Sequence, residues 1–253
     1  MQASTRVVFN TGIQYARVLI TVGINLYSVR LILNSLGKVD YGIYNLIAGV
    51  IAMLAFLNTA MSITTQRYLS VGQGRNDLDF QKCIFINSFW LHVAIGMTVV
   101  VLAEIAGFFL FSGFLNIPPE RISIASQVYH FMLLSTFLTI LGVPFTATLT
   151  AHENFLLPAI LLIIQSFLNL GIALLLYIVP GDKLLFYGMC MVVPILLNFG
   201  CSVFFCIRKY QECFSLSVKR INISLVKELT GFAGWNLIHA LCTIGTVQGI
   251  AVL

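Results

Sequence analysis

The sequence predicts an all-α integral membrane protein: a six-helix transmembrane lobe, then the start of a seventh helix that opens a second lobe. Three observations predict it. Hydrophobic residues make up 59% of the 253 residues, charged residues only 9%, and the mean hydropathy is +0.96. A soluble domain carries about 25% charged residues, so the expected solvent for this surface is lipid. The apolar residues fall in long continuous runs, nearly free of charge, at transmembrane length. Basic residues gather in alternate connections between those runs.

The runs give helices near 7–34, 41–69, 83–113, 122–150, 156–179 and 184–207, which form the lobe 1–207. They lack the ten-residue alternation of an outer-membrane barrel. The first run is too long for a cleavable signal and has no small-residue cleavage site, so it is expected to be retained. Pro144 and Pro194 are expected to kink the fourth and sixth helices. Residues 208–228, "RKYQECFSLSVKRINISLVKE", form a basic cytoplasmic linker suited to an amphipathic interfacial helix. Residues 229–253 are the first helix of a truncated second lobe.

With the N-terminus inside, nine basic residues are cytoplasmic: Arg6, Arg67, Arg75, Lys82, Arg208, Lys209, Lys219, Arg220 and Lys227. Three are outside: Lys38, Arg121 and Lys183. The positive-inside rule therefore places the N-terminus in the cytoplasm. The outer loops also carry the acids Asp40, Glu120 and Asp182. The net charge of +5 follows from this topology and calls for no nucleic-acid partner. The six cysteines show no CxxC pair and no metal-ligand spacing, so neither a metal nor a cofactor is expected. His92, His130 and His152 likewise show no metal spacing.

The first helix carries the sharpest signal. Asn10, Gln14, Arg17, Thr21, Asn25 and Ser28 recur at spacings of three and four, within about 80° on an ideal helix. Arg17 lies roughly 16 Å beyond Arg6 along the axis, near the middle of a membrane. A charge there costs at least ~2.5–3.5 kcal/mol on insertion scales and marks a partner or a pathway. Arg17 is either an anchor satisfied inside the bundle or a cationic point in a water-filled cavity. A whole stripe favours the cavity, lined by Arg17, Gln14, Thr21 and Asn25, with Asn58 and Ser62 of the second helix at its inner mouth. Arg30 points to the opposite face. It either snorkels to the outer interface or pairs with Glu104, at similar depth on the third helix, as a structural or ion-coupling pair. Gln165 with Asn169, and Asn198 with Ser202, read as polar glue between helices.

"GIQYARVLITVG" (12–23) and "GWNLIHALCTIG" (234–245) align without a gap and share Gly, Leu, Thr and Gly, with Arg17 opposite His239. Both run outward, six helices apart, as in parallel-repeat transporters. Residues 29–70, "VRLILNSLGKVDYGIYNLIAGVIAMLAFLNTAMSITTQRYLS", resemble the amino-terminal region of bacterial polysaccharide flippases. These are the O-antigen and capsule repeat-unit transporters of the multidrug/oligosaccharidyl-lipid/polysaccharide exporter superfamily. "LGKVDYGIYNL" and "MSITTQRYLS" are the most specific parts, and "GWNLIHAL" resembles the start of that family's seventh helix.

The resemblance implies two six-helix lobes around a cavity that opens alternately to each side of the bacterial inner membrane. It implies an undecaprenyl-diphosphate-linked oligosaccharide as cargo, with polysaccharide polymerase machinery as a partner, and no enzymatic step. Cationic cavity residues of the family match Arg17. With one lobe, the chain could also be an inactive truncated fragment. A multidrug or cation antiporter of the same superfamily is the first rival, but it would favour a carboxylate where the first helix has arginine. A membrane glycosyltransferase would need acidic or metal-binding residues in a sizeable loop. A seven-helix receptor is disfavoured by the inside N-terminus.

Overall fold

A computed structural model describes residues 3–52, 55–115, 117–214 and 221–252. Among these the chain forms eight α-helices and no strand: α1 (Ala3–Ala52), α2 (Ala55–Gly74), α3 (Leu78–Phe109), α4 (Ile122–Ala151), α5 (Leu156–Leu175), α6 (Lys183–Cys190), α7 (Val192–Lys209) and α8 (Ile223–Val252). Five stretches are long and apolar enough to cross a membrane: Val8–Ala52, Leu78–Gly113, Pro119–Ala151, Leu156–Leu175 and Lys183–Lys209. The chain is a multi-pass, all-α membrane protein.

Several boundaries differ from the expected ones for identifiable reasons. A straight helix over the 45 residues Val8–Ala52 would be about 68 Å long, more than twice the ~30 Å hydrocarbon core. Gly37 divides it, with φ 77° and ψ 173°. That is a left-handed conformation that L-residues with a Cβ resist. The connection expected over several residues is thus a single-glycine break. The expected second helix is the arm from Gly37 to Ala52 together with α2; residues 53 and 54 lie outside the described set.

The expected sixth helix is two helices, α6 and α7, interrupted at Met191. Pro194 has no N–H for the Cys190 carbonyl, and its ring crowds that carbonyl. α4, by contrast, runs unbroken through Pro144. There Thr148 Oγ1 donates to the Pro144 carbonyl at 2.8 Å. α3 ends in a π-turn, Leu110–Phe114, where Leu115 N–H donates to the Leu110 carbonyl at 3.0 Å. α8 begins at Ile223 and not at 229, because Asn222 caps it, accepting from Ser224 N–H at 3.0 Å. Of the linker, Gln211–Cys213 is a single 3-10 turn, and 215–220 lie outside the described residues.

The chain divides into two compact units. The first comprises Met1–Ile51, Thr98–Thr139 and Asn154–Cys201; the second comprises Ala52–Met97, Ile140–Glu153 and Ser202–Leu253. In the first unit, Tyr44 and Tyr187 rings pack at 4.7 Å. Tyr129 of α4 donates its hydroxyl to the Ala103 carbonyl of α3, passing over Gly107. A Cβ at Gly107 would lie 2.7 Å from the Tyr129 ring, so the small residue sets the approach of the two helices. In the second unit Phe145 packs in T-shaped pairs with Phe85 and Phe89, ring centroids 5.3 and 6.0 Å apart. α2 and α8 are joined by Tyr68 donating to Glu228 (2.8 Å), Arg67 over the Phe232 ring (4.3 Å) and Asn236 donating to Thr64 (3.2 Å).

Candidate functional site

α1 is amphipathic in the sense opposite to a soluble helix. Asn10, Gln14, Arg17 and Thr21 are half-buried and Ser28 is buried, whereas the opposite face is exposed, with Leu19 at 75%, Leu26 at 71% and Tyr15 at 70%. The apolar face suits lipid, and the polar face is turned toward protein. Two stripe hydroxyls satisfy themselves locally: Thr21 Oγ1 donates to the Arg17 carbonyl and Ser28 Oγ to the Ile24 carbonyl, both at 2.9 Å. The guanidinium of Arg17 is different in kind, since it has five donors and no acceptor. Among the described residues no carboxylate pairs with it.

Asn25 shares the angular stripe but is exposed. Ser62 is half-buried on α2, in the second unit, while the side chain of Asn58 lies outside the described residues, as do those of Arg6 and His239.

Glu104 does not pair with Arg30. Its carboxylate faces His130 of α4 at 3.3 Å, and Arg30 is exposed on α1. Matched depth along two helices was insufficient, because Glu104 turns toward α4, the helix that also supplies Tyr129 to α3.

A charged cluster that depth and spacing did not indicate lies in the first unit. Arg121, in the turn before α4, donates through one nitrogen to Asp40 at 2.7 Å, just after the Gly37 break, and through the other to Asp182. Asp182 also caps α6, accepting from Leu185 N–H at 3.0 Å. One planar guanidinium thereby ties three connections together. The three residues were legible as outer-loop charges; their convergence was not.

In the second unit, buried polar groups form short chains. Thr65 and Ser88 hydroxyls lie 2.7 Å apart, and His92 Nδ1 lies 2.6 Å from the Ser88 carbonyl. His152 Nε2 meets Glu212 at 2.5 Å, and its ring stacks on Tyr210 at 4.0 Å. Burial alone would raise the Glu212 carboxyl; the hydrogen bond from His152 and the nearby charge of Lys82 outweigh it and hold the group below the usual carboxylate value. Asn198 donates to Gln165 at 3.3 Å, joining α5 and α7 as polar glue. No cluster of three His, Cys, Asp or Glu stands close enough for a metal among the described residues.

No family model matches the sequence, and no curated protein matches it. Solved structures do. A MATE crystal structure in complex with MaL6 superimposes with a TM-score of 0.74 at 12% identity, covering 89% of this chain and 51% of that one. An outward-facing multidrug resistance MATE family transporter of the MOP superfamily gives 0.69 at 13% identity, over 94% and 52%. A MOP superfamily transporter from Pyrococcus furiosus, described as having a binding pocket of reverse polarity, gives 0.67 at 11%, over 89% and 51%. The chain spans about half the length of these transporters. At this identity the likeness is one of fold, and the fold of this chain is similar to that of about half of these transporters.

Proposed function

We propose that the protein is a transporter of the bacterial inner membrane, with a cytoplasmic N-terminus, that moves an undecaprenyl-diphosphate-linked oligosaccharide by alternating access. The observation that carries this reading is the inverted amphipathicity of α1: a cation and two amides on the half-buried face, lipid-facing side chains on the other. Moving such a cargo requires hydrogen bonds for sugar hydroxyls and positive charge for the diphosphate, while the polyprenyl tail stays in lipid. Gln14, Thr21 and Asn25 supply the first, and Arg17 supplies the second through a planar fork suited to phosphate. No bond is made or broken, so no catalytic group is required. Polysaccharide polymerase machinery would receive the cargo on the far side.

A multidrug or cation antiporter is the second reading, favoured by the multidrug resistance transporter among the similar structures. The Pyrococcus furiosus transporter, with its reversed pocket polarity, supports treating cargo charge as variable on this fold. In this chain Arg17 occupies the α1 stripe and Glu104 is engaged with His130, which suits an anion better than a cation.

The test is a substitution series at Arg17, read as surface polysaccharide in cells that depend on the protein. Arg17→Ala should reduce export at least tenfold, the scale of one charge-assisted hydrogen bond at ~1.5–3 kcal/mol, with membrane levels near wild type. Arg17→Lys should retain part of the activity, and Arg17→Glu should be worst. Normal export by a well-expressed Arg17→Ala protein refutes the role. Equal loss of the folded protein in all three variants identifies Arg17 as a structural anchor. Efflux of a cationic drug without polysaccharide export would favour the second reading.

A further inference from the structure

At the C-terminal end of α7 a pocket of about 370 Å³ is lined by Lys82, Arg208, Lys209, Tyr210, Gln211 and Phe214. Three cations from two elements far apart in the sequence converge on it: Lys82 from the start of α3, Arg208 and Lys209 from the last turn of α7. Among the described residues no carboxylate lines it. The adjacent acid, Glu212, is 3% exposed and engaged with His152. The two α7 cations are held over aromatic rings, Arg208 at 4.7 Å from Phe204 and Lys209 at 5.1 Å from Phe205 and 5.8 Å from Tyr210.

The pocket's rim is apolar. Phe214 is 79% exposed, and Phe204 and Ile207 are also exposed. α7 is the end of the apolar stretch Lys183–Lys209, which is long enough to cross a membrane, so this rim lies at the end of a candidate span. A cationic recess beside exposed aromatic and aliphatic side chains matches a molecule with an anionic head and an acyl body. Free phosphate would use the cations and leave the rim unexplained.

We propose that this pocket binds the phosphate headgroup of an anionic phospholipid, with Lys82, Arg208 and Lys209 on the phosphate oxygens and Phe204 and Phe214 against the acyl chains. Basic recesses at helix ends bind such headgroups through the field of the cations, about fivefold in affinity per Lys or Arg. The pocket uses none of the α1 stripe residues, and the proposal does not depend on what the protein transports.

The experiment uses the purified full chain in neutral detergent, incubated with equal amounts of phosphatidylglycerol and phosphatidylcholine. Retained lipid is read by native mass spectrometry. Wild type should retain phosphatidylglycerol in at least fivefold preference. Arg208→Gln with Lys209→Gln should bring the preference near parity, whereas Arg208→Lys with Lys209→Arg should keep it. Millimolar inorganic phosphate should not displace the lipid. Equal retention of the two lipids by wild type overturns the proposal without any variant. Displacement by millimolar inorganic phosphate overturns the lipid as occupant and assigns the site to free phosphate.

Discussion

Replacing Arg121 with alanine strips a shared cation from two carboxylates at once. The Asp40 side chain is 9% exposed, that of Asp182 24% and that of Arg121 31%, so the Asp40 arm is shielded and the Asp182 arm is wetter. A hydrogen bond between charged groups contributes ~1.5–3 kcal/mol net when shielded; an exposed pair contributes ~0–1 kcal/mol. Taking the Asp40 arm near the first range and the Asp182 arm near the second gives a loss of about 3 kcal/mol. Asp40 Oδ1 has no partner among the described residues, so losing Arg121 would strip Oδ2 of its bond as well. At ~2–4 °C per kcal/mol for a chain of this size, melting should fall by about 6–12 °C. The assay is recovery of monodisperse protein by fluorescence-detected size exclusion after heating. Arg121→Lys should lose about half as much, because a point charge cannot bridge both acids. Asp182→Asn should keep the α6 cap and Asp182→Ala should lose it, a difference of ~1 kcal/mol. An Arg121→Ala protein melting within about 2 °C of wild type would show that the cluster adds nothing and refute the reasoning.

Two further outcomes are expected. In a background without native cysteines, Lys38→Cys should label with an impermeant thiol reagent from outside and Arg75→Cys should not; the reverse pattern would sink the proposed orientation. The lowered Glu212 carboxyl favours the charged form in the folded state, so its contribution to stability is complete above the ordinary value of 4.5 and is lost as pH falls through the lower native value. Wild type should therefore lose more stability than Glu212→Gln on acidification below 4.5, and parallel melting curves for the two would count against the His152–Glu212 contact.

The spans were legible because lipid imposes long apolar runs, and those runs bound α3, α4 and α5 within a few residues at most ends. The break at Gly37 was less so: "NSLGKVDYG" reads as a polar loop, yet only the glycine leaves the helix. The α1 stripe was readable from spacing alone, since a single helix fixes the angles between its own residues. Contacts between helices were not. Glu104 has Arg30 and His130 within plausible reach by depth, and the rotation of α3 and α4 about their axes decides between them. His152 meets Glu212 across 60 residues of sequence, and no local pattern marks such a pair. Arg208 and Lys209 were counted as topology signals, which hid the recess they form with Lys82.

The Arg121 cluster also sets a timetable for assembly. Its members are made far apart: Arg121 follows Asp40 by 81 residues, and Asp182 follows Arg121 by 61. At synthesis rates of about 5–20 residues per second, Asp40 waits roughly 4–16 s for its cation, and the pair waits about another 3–12 s for the second acid. Until Arg121 is made, the connection beyond Gly37 carries an unpaired carboxylate. The three-membered cluster therefore cannot close until the residue that caps α6 has been made.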